Sequence, residues 1–182
     1  MAGDIIILSG PIGAGKTTVL RGLWGSLPAI AGFAALRAFE EDDRWIGYDL
    51  VEARTDRRLP FLRLDPAPGA SGAPEPGVRI GRFAVLPGAL EAAAEILRAS
   101  LPSALLAVDE LGPAERVGRG HWPALRPLLG DPARRFLFVV RESCLPDFRD
   151  RFAPRPVRVF SIRRAAEAER VISGIISHVH PG

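Results

Sequence analysis

Gly10-Pro11-Ile12-Gly13-Ala14-Gly15-Lys16-Thr17 decides how this chain is read: Gly, four residues, then Gly-Lys-Thr, set between an apolar run and a helical pattern. Upstream, Asp4-Ile5-Ile6-Ile7-Leu8-Ser9 is short, continuously apolar and rich in β-branched residues, which predicts a strand covered on both faces of a parallel sheet. Downstream, Leu20, Leu23, Trp24 and Leu27 fall at i, i+3, i+4 and i+7, predicting a helix from about Thr17 to Ser26 with one face on that sheet. Glycines in the connecting loop allow successive backbone N–H groups to turn inward, and the helix N-terminus adds positive potential. A side chain at Gly13 or Gly15 would obstruct that cradle. The arrangement suits a dense phosphate anion, so the nucleotide-binding candidates are Gly10, Pro11, Ile12, Gly13, Ala14, Gly15, Lys16, Thr17 and Thr18. Lys16 is the one lysine among 24 basic residues. It would reach the β- and γ-phosphates, and the Thr17 hydroxyl would take a coordination position on Mg²⁺.

Such a site needs an acid at the end of a second buried strand, and Ala104-Leu105-Leu106-Ala107-Val108-Asp109-Glu110 supplies it in the manner of a Walker B motif. Asp109 would hold Mg²⁺, and Glu110 is placed to orient or deprotonate an attacking water. The adjacent Asp-Glu pair favours hydrolysis over transfer to an acceptor hydroxyl. Arg141 directly follows the apolar run 135–140, at the strand edge where open α/β sheets bind ligands, and is a candidate to sense or stabilise the γ-phosphate. Arg57, Arg58 and Arg82 are weaker candidates for covering the phosphates.

Further strands are expected at 32–37, 135–140 and 157–161, and further helices at 88–98 and 163–178. With the two strands above, these give five core strands alternating with helices, a three-layer α/β architecture. Three other segments, 45–51, 59–64 and 78–85, read as short antiparallel strands, so the mostly parallel sheet is expected to carry an inserted hairpin region over about 38–86. Asp65 to Gly77 holds four prolines and three glycines in 13 residues, which predicts a flexible loop and not a domain boundary. The whole of 1–182 is expected to form a single domain.

Composition narrows the function classes. Hydrophobic residues make up 47% and charged residues 25%, ordinary for a globular chain. One cysteine, Cys144, excludes an intramolecular disulfide framework and a clustered-thiolate zinc site, and fits a reducing cytoplasm. The net charge of +3 does not indicate nucleic-acid binding, and no apolar run is long enough for a membrane span. Glu40-Glu41-Asp42-Asp43 reads as a solvated turn, Glu115 as a solvated helix-start acid, and the tail His178-Val179-His180 as disordered.

These residues together resemble the small nucleoside-triphosphatase family first described from thermophiles, a RecA-type P-loop group. The likeness runs from Gly10–Thr17 and Thr18 through Gly32-Phe33, Gly47-Tyr48-Asp49-Leu50-Val51 and Ile80-Gly81-Arg82-Phe83-Ala84-Val85. It ends with Asp109-Glu110-Leu111-Gly112-Pro113-Ala114-Glu115, similar to the family's Asp-Glu-Ile-Gly-x-Met-Glu, with Ala114 at the methionine position. The resemblance implies a RecA-type, additional-strand P-loop fold and Mg²⁺-dependent hydrolysis of ATP, GTP and other nucleoside triphosphates. It also implies a role near the active site for Glu115. A small-molecule or nucleotide kinase, or a nucleotide-dependent adaptor with very slow turnover and a partner protein, stay open as alternatives.

Overall fold

The computed structural model describes residues 3–64 and 79–180, and the proline- and glycine-rich stretch 65–77 lies outside them. Within those residues β1 (Ile5–Gly10), β2 (Ile30–Phe39), β7 (Leu105–Leu111), β8 (Arg135–Arg141) and β9 (Val157–Ser161) form a parallel core in the order β2-β7-β8-β1-β9. The five expected core strands are these five. The sheet is extended beyond β2 by β3 (Trp45–Glu52), β4 (Arg58–Leu64), β6 (Phe83–Val85) and β5 (Arg79–Ile80), all antiparallel to their neighbours. One strand joins the two halves: β2 pairs in parallel with β7 through Ile30–Phe33, then antiparallel with β3 through Phe33–Phe39.

The continuous apolar runs are explained by two covered faces. Along β1, Ile5 and Ile7 enter one buried cluster while Ile6 and Leu8 enter the other; Phe136 and Phe138 against Leu137 and Val139 repeat the division on β8. On the first face sit α2 (Ala89–Arg98), α4 (Trp122–Leu129) and α5 (Leu145–Phe152), contributing Leu97, Leu125, Phe148 and Phe152. On the second sit α1 (Lys16–Ser26) and α6 (Ala168–Val179), contributing Leu20, Leu23, Val171 and Ile175. Each of these side chains removed from water stabilises the fold by about 1.5–3 kcal/mol.

Two expectations change, and three helices appear that the sequence pattern did not announce. The last helix does not begin at Arg163: Arg163 and Arg164 stay outside it, Arg163 N–H donates to Glu167 Oε2 at 3.0 Å, and a short 3₁₀ turn (Ala165–Glu167) precedes α6. His178 is ordered within α6, its Nε2 2.5 Å from Asp4 Oδ2, which ties the last helix to the entry of β1. Helices α3 (Pro113–Arg116), α4 and α5 arise from proline-bearing segments that carry no clear helical period. Pro113, Pro123 and Pro146 fall at helix starts, where a missing N–H costs nothing. No helix among the described residues is long and apolar enough to cross a membrane.

Candidate active site

The C-terminal ends of β1, β7 and β8 lie side by side. Gly10, where the glycine loop departs, is the register partner of Arg141 at the end of β8. In the loop, Gly13 and Gly15 take φ values of +80° and +97°, a conformation L side chains resist. A Cβ at Gly13 would meet nothing within 4 Å, whereas one at Gly15 would come 3.3 Å from Ala165 Cα. The requirement at Gly13 is therefore one of backbone conformation, joined at Gly15 by close contact with the segment after β9.

Lys16 is only 6% exposed. Its Nζ donates to the carbonyl oxygens of Gly10 at 2.9 Å and Pro11 at 2.8 Å, so two of three ammonium donors hold the loop and one remains for a phosphate. Pro11, Ile12, Gly13 and Thr18 are exposed around it.

One residue further, Thr17 Oγ1 donates to Asp109 Oδ2 at 2.7 Å, joining α1 to the end of β7. Asp109 is buried, and that burial pushes its carboxyl up to about 7; the Thr17 bond opposes the shift and the nearby Glu110 charge reinforces it. A desolvated carboxylate beside a hydroxyl is a pair of hard oxygen donors, a donor set that fits Mg²⁺.

Glu110 comes next in the chain but leaves the ladder. Asp109 faces Val139 and Leu111 faces Val140, so the register slips by one and Glu110 has no partner on β8. Its carboxylate meets Arg141 instead, with Nε 2.8 Å and Nη2 2.7 Å from the same oxygen, Oε1. Because the Arg141 side chain is 43% exposed, the pair is solvent-screened and worth about 1 kcal/mol or less. A competing phosphate can therefore open it.

Glu115 is 4% exposed, buried and not solvated, and burial raises its carboxyl above the ordinary range. Oε2 accepts from Gly112 N–H at 3.0 Å and Oε1 from His121 N–H at 3.1 Å. His121 itself lies between the rings of Phe33 and Phe61, with centroids 4.8 Å and 5.1 Å away, and desolvation lowers its pKa to about 4. Sequence reasoning missed His121, since an isolated histidine after Gly-Arg-Gly carries no periodic signal.

Other candidates do not join the loop. Arg57 pairs with Glu52 at 3.5 Å, Arg58 with Asp49 at 3.7 Å, and Arg82 lies over the Trp45 and Phe83 rings, so each engages the antiparallel extension itself. The acidic run 40–43 is an exposed turn in which Glu40 pairs with Arg44. Among the described residues no group of three or more His, Cys, Asp or Glu side chains converges as a metal cage.

A family model described as NTPase matches residues 5–175 of the chain. The solution structure of a human cancer-related nucleoside triphosphatase is similar at 23% identity over 99% of each chain, with a TM-score of 0.74. The crystal structure of THEP1 from the hyperthermophile Aquifex aeolicus is similar at 19% identity, covering 97% of this chain and 99% of that one, with a TM-score of 0.70. Among curated proteins no relative matches. At these identities the two structures establish a common fold, the α/β P-loop architecture seen here as a parallel core with an antiparallel extension.

Proposed function

The chain belongs to the NTPase family, and from that membership we propose that it is a Mg²⁺-dependent, single-domain cytoplasmic nucleoside-triphosphatase converting ATP, GTP and related triphosphates to diphosphate and phosphate. The observation that carries this reading is the 2.7 Å bond from Thr17 to the buried Asp109, with Glu110 beside it at the mouth of the glycine loop.

The chain's own groups divide the work. Loop amides 13–17 and Lys16 bind the β- and γ-phosphates and stabilise charge as it moves onto the leaving diphosphate. Thr17 and Asp109 would hold Mg²⁺, which when bound neutralises phosphate oxygens. Arg141 occupies Oε1 of Glu110, so Oε2 is the oxygen that accepts from water. As the water oxygen bonds to the γ-phosphorus and the bond to the β-phosphate bridging oxygen breaks, Glu110 takes the water's proton. Arg141 is then released toward the γ-phosphate.

Phosphate release from ATP, GTP, CTP and UTP with Mg²⁺ tests the reading, run beside nucleotide binding for wild type and Glu110→Gln. Hydrolysis of several triphosphates that falls about 10²–10⁴-fold in Glu110→Gln while binding persists is the expected result. Turnover that depends on an added acceptor would reassign the chain as a kinase. Tight binding without turnover would reassign it as a partner-dependent switch.

A further inference from the structure

Residues 112–121, which begin two positions after the candidate base and include α3, form a segment fastened at both ends by one buried side chain. Gly112 N–H, two residues from Glu110, donates to Glu115 Oε2, and His121 N–H donates to Oε1, at 3.0 Å and 3.1 Å. Gly120 packs so closely on this carboxylate that a Cβ there would collide with Oε1. From outside, Arg151 donates to the backbone oxygen of Glu115 at 3.0 Å and that of Arg116 at 2.7 Å while its guanidinium lies over Trp122. The fastened end touches the chemistry: a Cβ on Gly112 would stand 3.7 Å from Arg141 Nε and 3.9 Å from Glu110 Oε1, so the Gly112 backbone is the floor under that ion pair. Glu110 needs such a floor, since the register slip leaves it without a backbone register partner on β8 and its side chain is held through Arg141.

A buried carboxylate is a costly way to cap a four-residue helix such as α3, and an apolar side chain would fill the space with less desolvation. What a carboxylate alone provides is two acceptors that hold two main-chain amides nine positions apart. We propose that Glu115 is the positioning residue for Glu110: its carboxylate clamps the 112–121 loop so that the candidate base and Arg141 keep their alignment at the γ-phosphate. The inference rests on the assignment of Glu110 as base.

Steady-state hydrolysis of MgATP, nucleotide affinity and thermal unfolding are measured for wild type, Glu115→Gln, Glu110→Gln and the double variant. Glu115→Gln keeps one acceptor and turns an NH₂ toward the other amide. The expected result is a 10- to 100-fold fall in kcat, with KM and nucleotide affinity within threefold of wild type. In the Glu110→Gln background the same change should cost less than threefold, because nothing remains to align. A fully additive loss, or an unchanged kcat in folded Glu115→Gln, overturns the clamp and leaves the base assignment intact. Wild-type turnover in Glu110→Gln overturns the base assignment itself. Where Glu115→Gln does not fold, Arg151→Met frees the loop from outside. A kcat lowered several-fold at constant KM then supports the clamp, and an unchanged kcat overturns it.

Discussion

The parallel core and the antiparallel extension share one sheet but are stabilised differently. In the core, β1 is buried at all six positions and β8 at five of seven, with helices on both faces. In the extension, β3 is buried at three of eight positions and β4 at two of seven, and their polar side chains pair among themselves, as Arg63 does with Asp49 at 2.8 Å. Every candidate catalytic group lies on the core or its loops: Lys16, Thr17, Asp109, Glu110 and Arg141. Chemistry that needs atoms held to a fraction of an ångström is built where close packing removes slack. The extension meets the core through β2 and through His121, which stacks on Phe61 of β4 and leans on Phe33 of β2.

The largest effects should therefore come from the core. Lys16→Ala removes the cation that holds the loop carbonyls and that is proposed to bind the phosphates, so kcat/KM for MgATP should fall by at least about 10²–10³-fold with the fold retained. Retained turnover would break the assignment of the loop as the phosphate site. Phe138→Ala empties a fully buried position stacked on Phe136 and Phe152, with centroids 5.3 Å and 5.1 Å away. Denaturant unfolding should show a loss of about 3–5 kcal/mol. A loss near 1 kcal/mol would mean that the core is no more tightly built than the extension.

Much of this contrast was legible in the residues. Ile5-Ile6-Ile7-Leu8 and Phe136-Leu137-Phe138-Val139-Val140 announce two-sided burial because no polar residue interrupts them, and Gly-x₄-Gly-Lys-Thr announces the loop between strand and helix. The hairpins were legible as short strand-like segments at 45–51 and 59–64 separated by turns. The helices near the site were not, because Trp122-Pro123-Ala124-Leu125-Arg126-Pro127 has the composition of a loop, and only the sheet beneath it lets Leu125 anchor a helix. Patterning alone left Glu115 open between a solvated helix start and the active-site role the resemblance implies, since its two partners, Gly112 N–H and His121 N–H, are main-chain groups that leave no mark on side-chain patterning. The Glu110–Arg141 pair joins strand ends 31 residues apart, so its members could be named separately but not paired.

The seam between the regions can be read by pH. His121 has a folded pKa of about 4 against an ordinary 6.5, so the unfolded chain binds this proton first. Its neutral, buried state contributes stability above about pH 6.5, and the contribution is lost as pH falls toward 4. Asp109 and Glu115 have the opposite sign: their raised carboxyls take up protons in the fold, adding stability as pH falls. The raw profile mixes all three, so the measurement is the difference in unfolding free energy between wild type and His121→Phe. Between pH 7 and pH 5 that difference should move by about 2 kcal/mol in favour of the variant. A difference independent of pH would show that solvent reaches the imidazole and that the seam is open.

The smallest effect is expected in the antiparallel extension, at Trp45. Its ring meets Tyr48 and Phe83 edge-on, at 5.7 Å and 5.9 Å, with the Arg37 and Arg82 guanidinium carbons 5.5 Å and 4.9 Å from its centroid. All of these groups are partly exposed, so their cation–π contacts contribute about 0.5–1 kcal/mol each at most, and Trp45→Ala should cost about 1–2 kcal/mol. Because the loss falls within β3, β4 and β6, it should surface as local opening: faster amide exchange in those strands, unchanged exchange in β1, β7 and β8, and hydrolysis within twofold of wild type. Equal acceleration in both sets of strands would show that the nine strands open as one cooperative unit. The candidate catalytic groups would then depend on packing in the antiparallel extension as much as on the core beneath them.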